Sequence, residues 1–188
     1  RSEGLVAARG GVGRTARASA GVRGCPGLRA GSGGWGNRCG GHGSPGEGGV
    51  VRGDVIAVDG GAVVDGYYGD SASTFPVGEV NREVARLLEV TRRSLDAGIA
   101  RCVPGMRLYD ISSAVQRVAE GGGFSVVREY VGHGIGRAMQ EEPQSPNSGT
   151  AGRGPTLQAG MVRAIEPRVN MGGAGVVPAD DGWTVSTA

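Results

Sequence analysis

Apolar positions change their spacing several times along this chain, and each change marks an element. From Val55 to Phe75 the run VIAVDGGAVVDGYYGDSASTF is rich in β-branched and aromatic residues on both sides of Asp65-Gly66. An Asp-Gly pair between two such runs is a strong two-residue hairpin signal, so two antiparallel strands are predicted. Beyond Glu79 the spacing becomes helical, with Val84, Leu87, Leu88, Leu95 and Ile99 on one face and Pro104-Gly105 as the stop. A second helix carries Leu108, Ile111, Val115 and Val118 on one face and breaks at Gly121-Gly122-Gly123. FSVVREYV then reads as a strand running into a loop that carries His133, and MVRAIEPRVN reads as a further strand. Hairpin, two helices, then strands is the order of an α+β fold with helices packed on one side of a mostly antiparallel sheet.

Residues 1–40 break from this pattern. They are Gly, Arg, Ala and Ser with neither a helical nor a strand period, and too few large apolar groups to offset the entropy of ordering. The expected division is a low-complexity segment over 1–40, disordered or non-native, and a folded domain over 41–188.

Composition narrows the function classes without choosing one. The formal net charge is +2, too near balance to point to nucleic acid or an anionic membrane. No run approaches the ~18 apolar residues of a membrane span, and the first residues lack the apolar stretch of a signal peptide. Cys25, Cys39 and Cys102 form no Cys-x-x-Cys, and a reducing cytoplasm is the simplest setting. Lysine is absent, which excludes a Walker loop, and there is no Gly-x-Ser-x-Gly elbow. The frame Gly132-His133-Gly134-Ile135-Gly136 does not open a helix after a strand, so it is not a dinucleotide loop. Cys102, at a helix end with no histidine nearby in sequence, reads as a buried structural thiol.

The chemistry that remains is carboxylate and imidazole. With Asp65-Gly66 as the loop, Gly61 faces Asp70, and Asp59, two residues earlier, points to the same face. The two carboxylates are then diagonal neighbours roughly 7–8 Å apart at the backbone. Like charges so placed repel unless a proton or a cation lies between them. Glu166 ends an apolar strand, where a charge needs a partner. His133 sits among glycines, which cost backbone entropy and permit close approach. Spacing alone leaves two readings open, carboxylates on a solvated strand face or a divalent cation site suited to Mn, Fe, Co or Zn.

Four segments, in order, carry a resemblance: GDVIAVDGGAVVDGYYGDSASTFPVG, FSVVREYVGHGIGRAMQEEP, LQAGMVRAIEPRVNMG and DGWTVSTA. Together they closely resemble the type I methionine aminopeptidases from about Gly53 to Ala188, and GHGSPGEGGVVRGD extends the likeness back to Gly41. The Asp spacing and the GHGIG frame are shared with prolidases and Xaa-Pro aminopeptidases, whereas FSVVREY, IEPxVN and DGWTV narrow the match. The resemblance implies a pita-bread fold and removal of the initiator methionine from nascent proteins. It implies two divalent metal ions (Co, Mn, Fe or Zn) with Asp59, Asp70, His133 and Glu166 among the ligands, and attack of a metal-bridging water on the first peptide bond. Glu166 would also move protons, His42 would hydrogen-bond the substrate, and Trp183 would wall the methionine pocket. The implied partner is a peptide or nascent-protein N-terminus, with ribosome association a further expectation, and the implied form is a cytoplasmic monomer binding neither membrane nor nucleic acid.

The chain departs from the family at several points. The family's bridging Glu, a fifth ligand, is expected beyond Ala188. Its second histidine is Gln140 here, next to Met139, on the substrate side of the site. IEPMVN has become IEPRVN, with Arg168 where an apolar residue is usual. Together with the patternless N-terminal part, these departures describe a degraded or truncated copy. They leave a second class in play, a pita-bread domain without catalysis that binds proteins or peptide ends.

Overall fold

Asp65 and Gly66 both take positive φ, 52° and 80°, as a two-residue hairpin turn requires. In the computed structural model, which describes residues 52–178, 180 and 185–188 with the short strands Val6–Ala7 (β1) and Arg23–Cys25 (β2), this turn joins β3, Val55–Val64, to β4, Tyr67–Pro76. Their register pairs Val64 with Tyr67 and Gly61 with Asp70, as the sequence predicts. β2 adds antiparallel to β3 and completes a three-stranded sheet. The predicted low-complexity character of 1–40 falls outside the described residues, apart from β1 and β2.

The two predicted helices are present. Helix α1 spans Arg82–Ile99, with Asn81 as its cap, accepting from the Val84 amide at 2.8 Å. Helix α2 spans Leu108–Gly121. Asp110 accepts from the Arg107 amide at 2.8 Å and from the Gly152 amide at 2.7 Å. Those bonds, the Arg107 one first, hold its carboxyl below the usual range. The helices pack closely because Gly98 has no side chain, since a Cβ there would lie 2.8 Å from Val115. Leu108, Ile111 and Leu157 form the centre of the core, with Cys102, Met106, Tyr109, Met161 and Ile165 against them.

The remaining strands are short: β5 Ser125–Val126, β6 Gly132–Gly134, β7 Glu141–Ser145, β8 Val162–Ala164, β9 Val169–Asn170, β10 Val176–Pro178 and β11 Val185–Thr187. One sheet runs β1-β8-β6-β7, antiparallel except for β1 with β8, and β5 with β9 and β10 with β11 form antiparallel pairs. Two sequence expectations need correction. The strand predicted over FSVVREYV is only Ser125–Val126, paired with Val169–Asn170. The strand predicted over MVRAIEPRVN is divided into β8 and β9 around Pro167, which has no amide to donate to a ladder. Among the described residues no helix is long and apolar enough to cross a membrane.

Candidate metal centre

His133 lies in strand β6 and not in a loop, as the middle residue of a strand between β7 and β8. Its glycine frame has a steric cause. A Cβ on Gly132 would lie 2.2 Å from the Ala164 carbonyl oxygen, and one on Gly134 2.7 Å from that of Glu142. Neither neighbour can yield without parting the strands, so glycine is required on both sides of His133. Alternation then turns the imidazole to the other face, where it is 6% exposed.

Two other segments converge on its ring. Ala164 pairs with His133 across β6 and β8, and Glu166, two residues on, brings Oε1 to 3.2 Å from His133 Nε2. Asp70 arrives from the hairpin, with Oδ2 3.5 Å from the same nitrogen. The hairpin is pinned for this purpose by its Tyr68 amide, which donates to the Gly136 carbonyl at 2.7 Å, and by Arg137, which donates to the Tyr67 hydroxyl at 3.2 Å. Ligand atoms of Asp70, His133 and Glu166 all lie within 4.8 Å of one another.

The hydrogen bonding of the ring decides what Nε2 can offer to these carboxylates. His133 Nδ1 lies 2.7 Å from the Gly134 carbonyl oxygen, so Nδ1 carries the proton and donates. In the neutral ring, the form that can bind a metal, Nε2 then presents a lone pair to two carboxylate oxygens. In that tautomer the 3.2 Å approach is no hydrogen bond, and Glu166 Oε1 is a buried oxygen without a hydrogen-bond partner. Burial pushes the Glu166 carboxyl up against the opposing pull of His133 and Arg168. Burial and then the neighbouring Asp59 charge push Asp70 up as well. With the ring neutral, three acceptors converge in a partly buried place, an arrangement that a cation would satisfy. Two carboxylate oxygens with one imidazole nitrogen fit a divalent 3d ion.

Asp59 pairs with Ala72 and is a diagonal neighbour of Asp70 on the hairpin, as predicted. Its charge acts on both Asp70 and Glu166, yet it stands outside the cluster of three. Gln140 is exposed, in the bend between β6 and β7. His42 and Trp183 lie outside the described residues. Sequence reasoning missed Asn147, which is 2% exposed. Its side-chain amide donates to the Glu166 carbonyl at 2.7 Å and to the Tyr130 carbonyl at 3.2 Å. Its sequence context, Pro146-Asn147-Ser148-Gly149, is that of an ordinary turn, so no local signal could have found it.

Residues 24–186 match the model of metallopeptidase family M24. The chain is 49% identical over 147 residues to a methionine aminopeptidase of Clostridium perfringens, covering 78% of this chain and 59% of that protein. The solved methionine aminopeptidase of Thermotoga maritima superposes with a TM-score of 0.72 at 48% identity, over 73% of this chain and 55% of that one. That of Rickettsia prowazekii gives 0.77 at 40% identity, over 80% and 61%. The chain thus spans somewhat over half the length of these relatives. It belongs to metallopeptidase family M24, and the pita-bread α+β fold expected from the sequence is the fold of its structural neighbours.

Proposed function

We propose that this M24 chain carries the catalytic centre of a metal-dependent aminopeptidase that removes N-terminal methionine. The observation that carries the reading is the meeting of Asp70 Oδ2, His133 Nε2 and the hydrogen-bond-free Glu166 Oε1, in a chain 49% identical to a methionine aminopeptidase. These three residues would hold one divalent ion, and Asp59, on the same face of the hairpin, would help hold a second beside Asp70. Such ions supply Lewis acidity toward a peptide carbonyl and make water nucleophilic at neutral pH.

The rest of the work belongs to the chain's own groups. His133 keeps its proton on Nδ1 through the Gly134 carbonyl, so the nitrogen facing the centre stays a lone-pair donor. Glu166, a carboxylate within the centre, is assigned to move a proton between water and the leaving amine. His42 is assigned to hydrogen-bond the substrate near the scissile bond, Trp183 to wall the methionine pocket, and Gln140 to offer hydrogen bonds, though no proton exchange, on the substrate side. The substrate is a peptide or nascent-protein N-terminus.

The test is metal content and Met-Gly-Met hydrolysis, for this chain and for a version extended through the family's fifth-ligand segment. Divalent metal lost on His133→Ala, with methionine released by the extended version, is the expected result. Folded protein that retains no divalent metal in either version would sink the reading.

A further inference from the structure

A groove of about 670 Å³ runs between α1 and the end of α2. Among the described residues that line it, Arg82, Arg86, Arg93 and Arg117 are basic and Glu89 alone is acidic. All five are exposed. Arg82, Arg86, Glu89 and Arg93 recur at helical spacing, which places them on one face of α1. At 1.5 Å of rise per residue they form a row about 16 Å long, and Arg117 adds a further guanidinium from α2. The groove is preformed. A Cβ on Gly122 would lie 2.7 Å from Val90, so the end of α2 rests directly on α1. Arg86 crosses the junction, donating from Nη2 to the Gly122 carbonyl at 2.7 Å, with its guanidinium 5.5 Å from the centroid of the Phe124 ring. Glu89 neutralises little, because its contact with Arg93 is 3.8 Å between side chains 68% and 65% exposed. The whole-chain charge of +2 therefore conceals a local concentration of positive charge.

We propose that this groove binds the phosphodiester backbone of duplex nucleic acid, by charge and without reading bases. Guanidinium forks match phosphate oxygens and stay charged throughout the physiological pH range. A duplex strand carries one phosphate per about 3.4 Å of rise, so the row on α1 runs beside several of them. The described lining holds no aromatic residue, and so lacks the stacking platform that single strands use. Nor does either helix carry any of the exposed large apolar side chains among the described residues, which a membrane surface would need beside its basic groups. The metal centre contributes no residue to the groove, so the inference stands apart from the catalytic reading.

The probe is a fluorescent DNA duplex of about 20 base pairs and arbitrary sequence, titrated with the full chain by anisotropy at several salt concentrations. The expected dissociation constant is on the order of 10 µM at physiological salt, with log affinity falling against log salt at a slope of about −3. Arg82→Gln with Arg117→Gln should weaken binding about tenfold and reduce that slope by about 2. Glu89→Gln, which removes the acidic group, should tighten binding about threefold. Arg153→Gln removes one charge outside the groove and should stay within about twofold of the parent. Unchanged affinity in the folded double variant would assign binding to another basic stretch, such as residues 1–40, and overturns the proposal. So does absence of duplex binding by the parent, an equal loss on Arg153→Gln, or tighter binding to phosphatidylglycerol vesicles than to the duplex.

Discussion

The α1–α2 pair and the strands around His133 are held together in opposite ways. The helices meet through apolar side chains repeated along each of them, with Gly98 letting the axes approach. Strands β5 to β9 have two to five residues each, too few to bury much apolar area, and are tied by single polar groups. Asn147 joins Glu166 to Tyr130. Tyr68 joins the hairpin to Gly136. Arg163, 2% exposed, donates from Nε to the Ser145 hydroxyl at 2.8 Å and from its terminal nitrogen to the Pro143 carbonyl, tying β8 to β7. A packed helix pair tolerates change in proportion to volume. A junction resting on one buried donor fails when that donor is removed, because the groups left behind cannot find water.

Gly132→Ala tests the strand junction most severely. Its Cβ would be 2.2 Å from the Ala164 carbonyl oxygen, so β6 and β8 must part, with a loss of about 3 kcal/mol or more. Denaturant unfolding measures the loss, and Co(II) binding should disappear with it. Asn147→Ala orphans two carbonyls and should cost about 2 kcal/mol, with Co(II) affinity reduced about tenfold as Glu166 loosens. An unchanged Co(II) affinity would show that the carboxylate holds its place without the amide.

Within the helix pair one substitution should act with opposite signs at two glycines. Gly98→Ala drives a methyl to 2.8 Å from Val115 and should cost about 1–2 kcal/mol. Gly121→Ala meets nothing within 4 Å at the end of α2 and should stabilise by about 0.5 kcal/mol. Equal effects at the two positions would mean that close packing is not what glycine supplies at Gly98.

The smallest effect is a pH response in the core between the two regions. Burial pushes the Cys102 thiol up to about 11, against the pull of Arg163. The thiolate is the reactive form, so alkylation of Cys102 in the folded chain should stay slow until the pH nears that value. The folded state holds this proton more tightly than the unfolded one. Its stability should therefore fall as pH rises from about 8.5, where an unperturbed thiol titrates, to about 11. Rapid alkylation of Cys102 near neutral pH in native protein would show that the thiol is not shielded.

Periodicity and turn chemistry alone were enough for the hairpin with its register, both helices, the glycine stop of the second, and the facing of Asp59 and Asp70 on one strand surface, whereas the first helix ends at Ile99, ahead of the expected stop at Pro104-Gly105. Each depends on residues close in sequence, where local backbone preferences decide the outcome. GHGIG and the separation of Asp59 from Asp70 marked the residues of interest, and resemblance turned them into a ligand set. What no local pattern could hold was the meeting itself. Asp70, His133 and Glu166 lie far apart along the chain, and their approach is set by contacts between distant residues at Gly132, Gly136 and Asn147. Only tertiary structure decided that His133 is a strand residue, that Asp59 stands outside the tight cluster, and that Arg168 lies in an ion pair with Glu166. Those outcomes depend on steric fit and on single hydrogen bonds between distant residues, which composition and spacing do not encode.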